Sequence, residues 1–244
     1  DGFKEGPYAF KHNNKYYLTF PWVQDKTETL AYAMADSPMG PFTFTGIIMD
    51  ESPSGCWTNH HSITEYNGQW YLFYHHNDYS PNFDKNRSAR IDSLFFNTDG
   101  TIKKVKPTLR GVGITDARSK IQIDRYSTIS PYGVTIDYLE PSNTFEGWQT
   151  LFNRAGTWVT YNKVDFGITP VKRLKARVRS EKGGAITLRT PGEKGMTIAE
   201  LPIKPTGKWT EISTNVSNAP TSMQDLIITQ TGENPVAVDW ISFE

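Results

Sequence analysis

Residues 8–20 (YAFKHNNKYYLTF) overlay residues 62–74 (SITEYNGQWYLFY) at an offset of 54, and this repeat limits the fold more than any other feature of the chain. In that register Asn13 meets Asn67, Tyr17 meets Tyr71 and Leu18 meets Leu72, with the aromatic pairs Tyr16/Trp70 and Phe20/Tyr74 alongside. Each copy reads as strand, Asn-Asn or Asn-Gly turn, strand, with the two-residue alternation of a half-buried sheet. A hairpin repeat of this length is long for a solenoid coil but suits a four-stranded propeller blade, whose period is about 40–50 residues. The segments from Leu30, Phe42, Arg90 and Asn97 onward are expected to supply the outer strands. Two blades then occupy residues 1 to about 110, whereas a propeller closes with roughly 4–8. The expectation is therefore a partial propeller whose remaining blades are missing, supplied elsewhere or as a separate chain. Its open faces and edges should leave Tyr16, Tyr17, Trp70, Tyr71 and Tyr74 partly bare unless those blades, or the rest of this chain, cover them.

The pattern changes after Gly111-Val-Gly. All five histidines (12, 60, 61, 75 and 76) precede position 77. From about Lys120 onward, short strands recur at regular spacing, beginning near Ile121, Gly133, Trp158, Leu174, Ala185, Thr197, Trp209, Leu226 and Val236. Such spacing predicts a β-sandwich, and no segment has the periodicity of an amphipathic helix. The chain reads as all-β: residues 1–112 as propeller blades, residues 118–244 as a sandwich of jelly-roll type.

Lys+Arg 26 against Asp+Glu 26 gives no net charge, so neither nucleic acid nor an anionic membrane is an expected partner, and a neutral ligand fits better. No apolar run approaches the ~20 residues that span a bilayer. The single cysteine, Cys56, excludes an internal disulfide and lacks a setting that would activate it as a nucleophile. Zinc-ligand spacing, a phosphate-binding glycine loop, a nucleophile elbow and a dinucleotide fingerprint are all missing from the sequence.

Glu5 falls opposite Asn59 in the repeat, just ahead of the first strand of its blade, and His60 and His61 hold the same place in the second copy. That strand is the innermost of a blade, so both segments should face the central channel and bring a carboxylate and an imidazole into one pocket. A loop glutamate before Gly-Pro is otherwise simply solvated, and the histidines could be buried partners of strands. Trp22, just past the first repeat, is a candidate for the lining of that pocket or for core packing.

Lys4-Glu5-Gly6-Pro7 with the strand after it resembles a blade signature of family 43 glycoside hydrolases, five-bladed propellers acting on arabinose- and xylose-containing polysaccharides. The resemblance implies that Glu5 is the general acid. Asn59-His60-His61-Ser62-Ile63 is similar to the stretch whose histidine, here His60, helps hold a hydrated metal ion in the channel. Asn86-Arg87-Ser88-Ala89-Arg90 looks like the closing segment, where Arg87, or else Arg90, reaches the sugar. These would be the last two blades; the general base belongs to the first, so this chain should be incomplete for catalysis by itself.

The second half resembles a family 6 carbohydrate-binding module, a calcium-containing sandwich, through Gly156-Thr-Trp158-Val-Thr-Tyr and Val238-Asp239-Trp240. Gln122, Asp124 and Asp239 match its calcium region, and hard oxygen ligands suit Ca²⁺. Its sugar cleft falls on Phe152 and Trp209, with Ala237 in place of an asparagine whose amide would orient the sugar. The two resemblances together, in the order propeller then module, imply an inverting α-L-arabinofuranosidase acting on arabinoxylan, and the family resemblance implies that it is bacterial and secreted or periplasmic. A β-xylosidase or arabinan-degrading hydrolase is the alternative within that class, and a non-catalytic carbohydrate-binding fragment the alternative outside it.

Overall fold

The first unit is two antiparallel meanders. One holds β1 (Tyr8–His12), β2 (Lys15–Val23), β3 (Glu28–Ala35) and β4 (Thr43–Met49) in sequence order; the other holds β5 (Ser62–Tyr66), β6 (Gln69–His76) and β7 (Ser88–Leu94). The computed structural model describes residues 3–78, 85, 87–193 and 195–244. Asn13 and Asn14 have φ of 45° and 62°, and Asn67 and Gly68 have 51° and 77°. Two consecutive left-handed residues match the twist of the flanking strands, and they close the hairpins through the His12–Lys15 and Tyr66–Gln69 pairs.

The two copies of the repeat bury opposite faces. Tyr17 is fully buried while Leu18 is half-exposed; in the second copy Leu72 is fully buried and Tyr71 is not. Tyr17, Leu72, Tyr74, Ile63, Leu30 and Ile48 meet in one cluster, which the inward faces of the two sheets share. Like blades packed face to back must do this, because each alternating strand offers a different face to its two neighbours. It overturns the expectation of bare rings at Tyr17 and Tyr74. Tyr17 donates its hydroxyl to the Gly100 carbonyl at 2.6 Å, and Tyr74 donates to Asp92 Oδ2 at 2.6 Å. The outer strand expected after Asn97 also fails to form. A tight turn returns the chain, leaving only a Phe96–Ile102 bridge, with Asn97 N–H on the Thr101 carbonyl and Gly100 N–H on that of Asn97.

The second unit begins at Gly113. Its strands are β8 (Thr115–Asp116), β9 (Ile121–Gln122), β10 (Thr128–Ile129), β11 (Val134–Tyr138), β12 (Trp148–Phe152), β13 (Trp158–Asp165), β14 (Arg173–Arg179), β15 (Gly184–Arg189), β16 (Thr197–Ile203), β17 (Thr210–Asn215), β18 (Met223–Gln230) and β19 (Val236–Phe243). One sheet runs β10-β13-β18-β15-β16 with β8 beside β13; the other runs β11-β12-β19-β14-β17 with β9 beside β19. The boundary lies earlier than the expected residue 118, because β8 pairs in parallel with β13 and Ala117 is fully buried in this core. Val159, Phe152, Leu174, Leu226, Val238 and Ile241 fill the space between the sheets, with Phe166 edge-on to Phe243 at 4.9 Å.

Candidate functional site

Glu5 and His60 come together. His60 Nε2 lies 2.9 Å from Glu5 Oε1, with the imidazole half-buried and the carboxyl exposed. Gly6 makes the approach possible: its φ of +62° is left-handed, and a Cβ there would sit 3.3 Å from the His60 ring. A side chain at position 6 would thus be strained and crowd the imidazole. The second segment is pinned from behind. Asn59 N–H donates to Glu28 Oε2 at 2.8 Å, His60 N–H donates to His75 Nε2 at 3.1 Å, and the His61 ring meets Thr19 Oγ1 at 2.6 Å. Thr19 in turn donates to the Tyr8 carbonyl at 3.0 Å, so at that contact His61 supplies the N–H.

Desolvation, reinforced by the neighbouring His60, lowers the pKa of His61 to about 4, and desolvation with Arg87 and His60 nearby lowers that of His75 to about 4. Both are neutral imidazoles at neutral pH, which His75 must be to accept the His60 amide. Glu28, Thr19 and His75 carry the geometry of the site; the sequence reading missed Glu28 and Thr19, and took His75 only as a possible buried partner of a strand. Glu28 and Thr19 lie on strands away from the repeated loop segments, and His75 is simply one position of a strand; only tertiary contact gives them roles.

Arg87 is exposed and lines the same hollow of about 300 Å³ as His60, His61, Ser62, Tyr74 and His75. Arg90 is buried in β7, with Nη2 3.5 Å from Asp78 Oδ2, and is held inside the sheet rather than offered to a ligand. Asn86, part of the same motif, lies outside the described residues. Trp22 is not brought to this hollow. It is on the Phe20 face of β2, where it packs with the cluster of Phe20, Ala31 and Ala33 and stands 5.1 Å from Phe44. Strand alternation places Trp22 and Phe20 together.

In the module, Phe152 is not available to a sugar. It is fully buried and lies between Val134 and Val236 in register, in the middle of the core. Trp209 is half-buried, and its ring faces two guanidinium groups, Arg177 at 5.4 Å and Arg179 at 5.0 Å. Both guanidinium groups are within cation–π range of the indole. Of the cleft implied by the sequence, Phe152 is taken into the core and Trp209 stays half-buried beside two arginines.

Gln122, Asp124 and Asp239 do line one cavity of about 330 Å³, together with Glu146, Arg125 and Arg177. Both aspartates are buried; Asp239 Oδ2 accepts from Arg177 at 2.6 Å and Asp124 Oδ2 from Arg125 at 3.2 Å. Desolvation raises the pKa of Asp239 against the lowering effect of Arg177. Hard oxygen donors suit Ca²⁺, but among the described residues no three His, Cys, Asp or Glu side chains are grouped to hold a metal. A cation in this cavity would draw on two carboxylates, the Gln122 amide and main-chain carbonyls. A channel metal on His60 fits less well, since His60 Nε2 is already directed at Glu5.

Comparison with known proteins matches the two units separately. Residues 2–102 match the model for glycosyl hydrolases family 43, and residues 130–244 that for the family 6 carbohydrate-binding module. The chain is a family 43 hydrolase segment joined to a family 6 module. An arabinoxylan arabinofuranohydrolase of Paenibacillus polymyxa is 28% identical over 258 residues, covering 93% of this chain and 40% of that protein. A β-xylosidase of Xylanibacter ruminicola is 43% identical over 106 residues, 43% of this chain and 31% of that protein. The fold is shared with the crystal structure of a family 43 arabinoxylan arabinofuranohydrolase from Bacillus subtilis in complex with cellotetraose, at a TM-score of 0.60 and 24% identity over 99% of this chain and 54% of that one. This chain thus spans less than half of the length of these two curated relatives.

Proposed function

We propose that the chain is part of an inverting α-L-arabinofuranosidase that removes arabinofuranose side groups from arabinoxylan, with Glu5 as general acid. The observation that carries this reading is the Glu5–His60 contact beside a hollow lined by Arg87. In the proposed mechanism the Glu5 carboxyl protonates the departing glycosidic oxygen, the His60 N–H orients it, and Arg87 binds a sugar hydroxyl. Inversion needs a second carboxylate about 6.5–9.5 Å from the first, on the opposite face of the bond, to activate water. We place that base beyond these 244 residues, in the length that the relatives have and this chain does not span.

Arabinofuranosidase is favoured over xylosidase because, of the relatives that match through both units, two arabinoxylan arabinofuranohydrolases are 28% and 27% identical, against 23% for a xylosidase/arabinosidase. The higher identity of the β-xylosidase segment, 43% over 106 residues, makes xylobiose the control substrate. A polymeric substrate also requires action outside the cytoplasmic membrane. For the module we propose one Ca²⁺ held by Gln122, Asp124 and Asp239, supported by their common cavity and the burial of both carboxylates.

The test uses the chain extended to the length of its relatives. Glu5→Gln should lower turnover of arabinoxylan by about 10²–10⁴-fold yet spare nitrophenyl arabinofuranoside, whose leaving group needs no proton. Equal loss on both substrates would reduce Glu5 to a structural role, and faster release of xylose from xylobiose than of arabinose from arabinoxylan would make the enzyme a xylosidase.

A further inference from the structure

Glu5 and His60 are carried by different meanders, one just ahead of β1 and the other just ahead of β5. Their contact joins a half-buried ring to an exposed carboxyl, and a pair so open to water holds geometry weakly. A second fastening lies directly behind it and is fully enclosed. Thr19, at zero exposure in β2, donates its hydroxyl to the Tyr8 carbonyl at 3.0 Å, and the same oxygen accepts from the His61 ring at 2.6 Å. His61 adjoins His60, and only Gly6 and Pro7 separate Tyr8 from Glu5. The contacts therefore close a circuit through both meanders, from Glu5 to His60, His61, Thr19, Tyr8 and back along the chain to Glu5.

Each member of this circuit is held in one orientation. A hydroxyl has one proton to give and lone pairs to receive with, and Thr19 spends the proton on the strand that carries Glu5 and a lone pair on the segment that carries His60. Its branched side chain has few rotamers in which to do so. His61 Nδ1 is buried without a hydrogen-bond partner among the described residues, so the proton of the neutral ring belongs on Nε2, facing Thr19. Pro7 fixes its own φ, which stiffens the short link from Tyr8 back to the carboxylate.

We infer that Thr19 is a positioning residue for the general acid: its hydroxyl ties the strand behind Glu5 to the segment behind His60, and so sets the angle at which the Glu5 carboxyl meets the glycosidic oxygen. Thr19 itself is enclosed and touches no substrate. The inference rests on the reading of Glu5 as general acid and deepens it by naming the group that holds the acid in place. Misplacing a reacting group by about 1 Å costs on the order of 10²-fold in rate, whereas a leaving group that departs without a proton is indifferent to where the acid stands.

Thr19→Val and Thr19→Ser, made in the chain extended to the length of its relatives, test it through kcat and KM on arabinoxylan and on nitrophenyl arabinofuranoside. Thr19→Val keeps the shape and removes the hydroxyl; its kcat should fall about tenfold or more further on arabinoxylan than on the nitrophenyl glycoside, with KM within about threefold of the parent. Thr19→Ser keeps the hydroxyl and should return kcat on arabinoxylan to within about threefold. Equal losses on the two substrates, or none, would overturn the inference, because a shortage of folded protein lowers both rates together. A serine variant as selective in its loss as the valine variant would overturn it too. His61→Leu removes the donor from the other side and should show the same selective loss, so a Thr19→Val chain that fails to fold leaves the comparison to be read there; equal losses in His61→Leu would then refute the inference. Glu5→Gln serves as the reference. Equal losses on both substrates in that variant would refute the general acid itself, whereas a selective loss there with none in Thr19→Val would refute the positioning role alone.

Discussion

Replacing Phe152 by alanine separates the two roles that this residue can have. As a wall of a sugar cleft it would cost affinity and little stability. The structure places it at zero exposure, between Val134 and Val236 on neighbouring strands and inside the cluster that joins the two sheets. Removing a fully enclosed phenyl ring leaves a cavity that the sheets on either side cannot close, and such changes cost about 3–5 kcal/mol. Against a domain stability of about 5–15 kcal/mol this is a large share. For a unit of this size it lowers the melting temperature on the order of 10–20 °C. Differential scanning calorimetry of the whole chain would show the transition of the module moving down while that of the first unit stays in place. Phe152→Leu should lose a fraction of that amount, since most of the volume is kept. A module transition within about 2 °C of the parent, together with lost binding of xylohexaose, would refute the core assignment and restore the residue to the cleft.

Two further outcomes follow from the electrostatics. His61 and His75 have folded-state pKa values lowered to about 4, and burial with Arg90 nearby lowers that of His76 to about 3, so the unfolded chain binds more protons than the folded one below about pH 6.5. The stability of the first unit should therefore be full above about pH 6.5 and fall as the pH drops toward 4; urea midpoints at pH 7, 5.5 and 4.5 that do not change would contradict it. Added EDTA should lower the melting temperature of the module, and excess Ca²⁺ should restore it, if Gln122, Asp124 and Asp239 hold the ion; an identical transition in both buffers would show that Arg177 and Arg125 alone balance these carboxylates.

Sequence alone determined the features that are local or periodic. The Asn-Asn and Asn-Gly turns, the alternation of the strands and the offset of 54 specify paired meanders, because turn geometry and side-chain period are properties of a few consecutive residues. The same repeat put Glu5 and the His60 segment at equivalent places, and equivalent places in two packed meanders are close enough for a 2.9 Å contact. Which face of each copy is buried could not be read that way. Tyr17 and Tyr71 are the same residue at the same repeat position, and only the sheet that lies against each of them makes one core and leaves the other half-exposed. Phe152 and Trp209 likewise match a cleft by alignment, yet the cross-strand valines and the arginines above the indole decide what each ring touches. Glu28, Thr19 and His75 acquire their roles only when strands distant in sequence are brought together, since a hydrogen bond to the His60 segment is a property of the packed sheets and of no single stretch of chain.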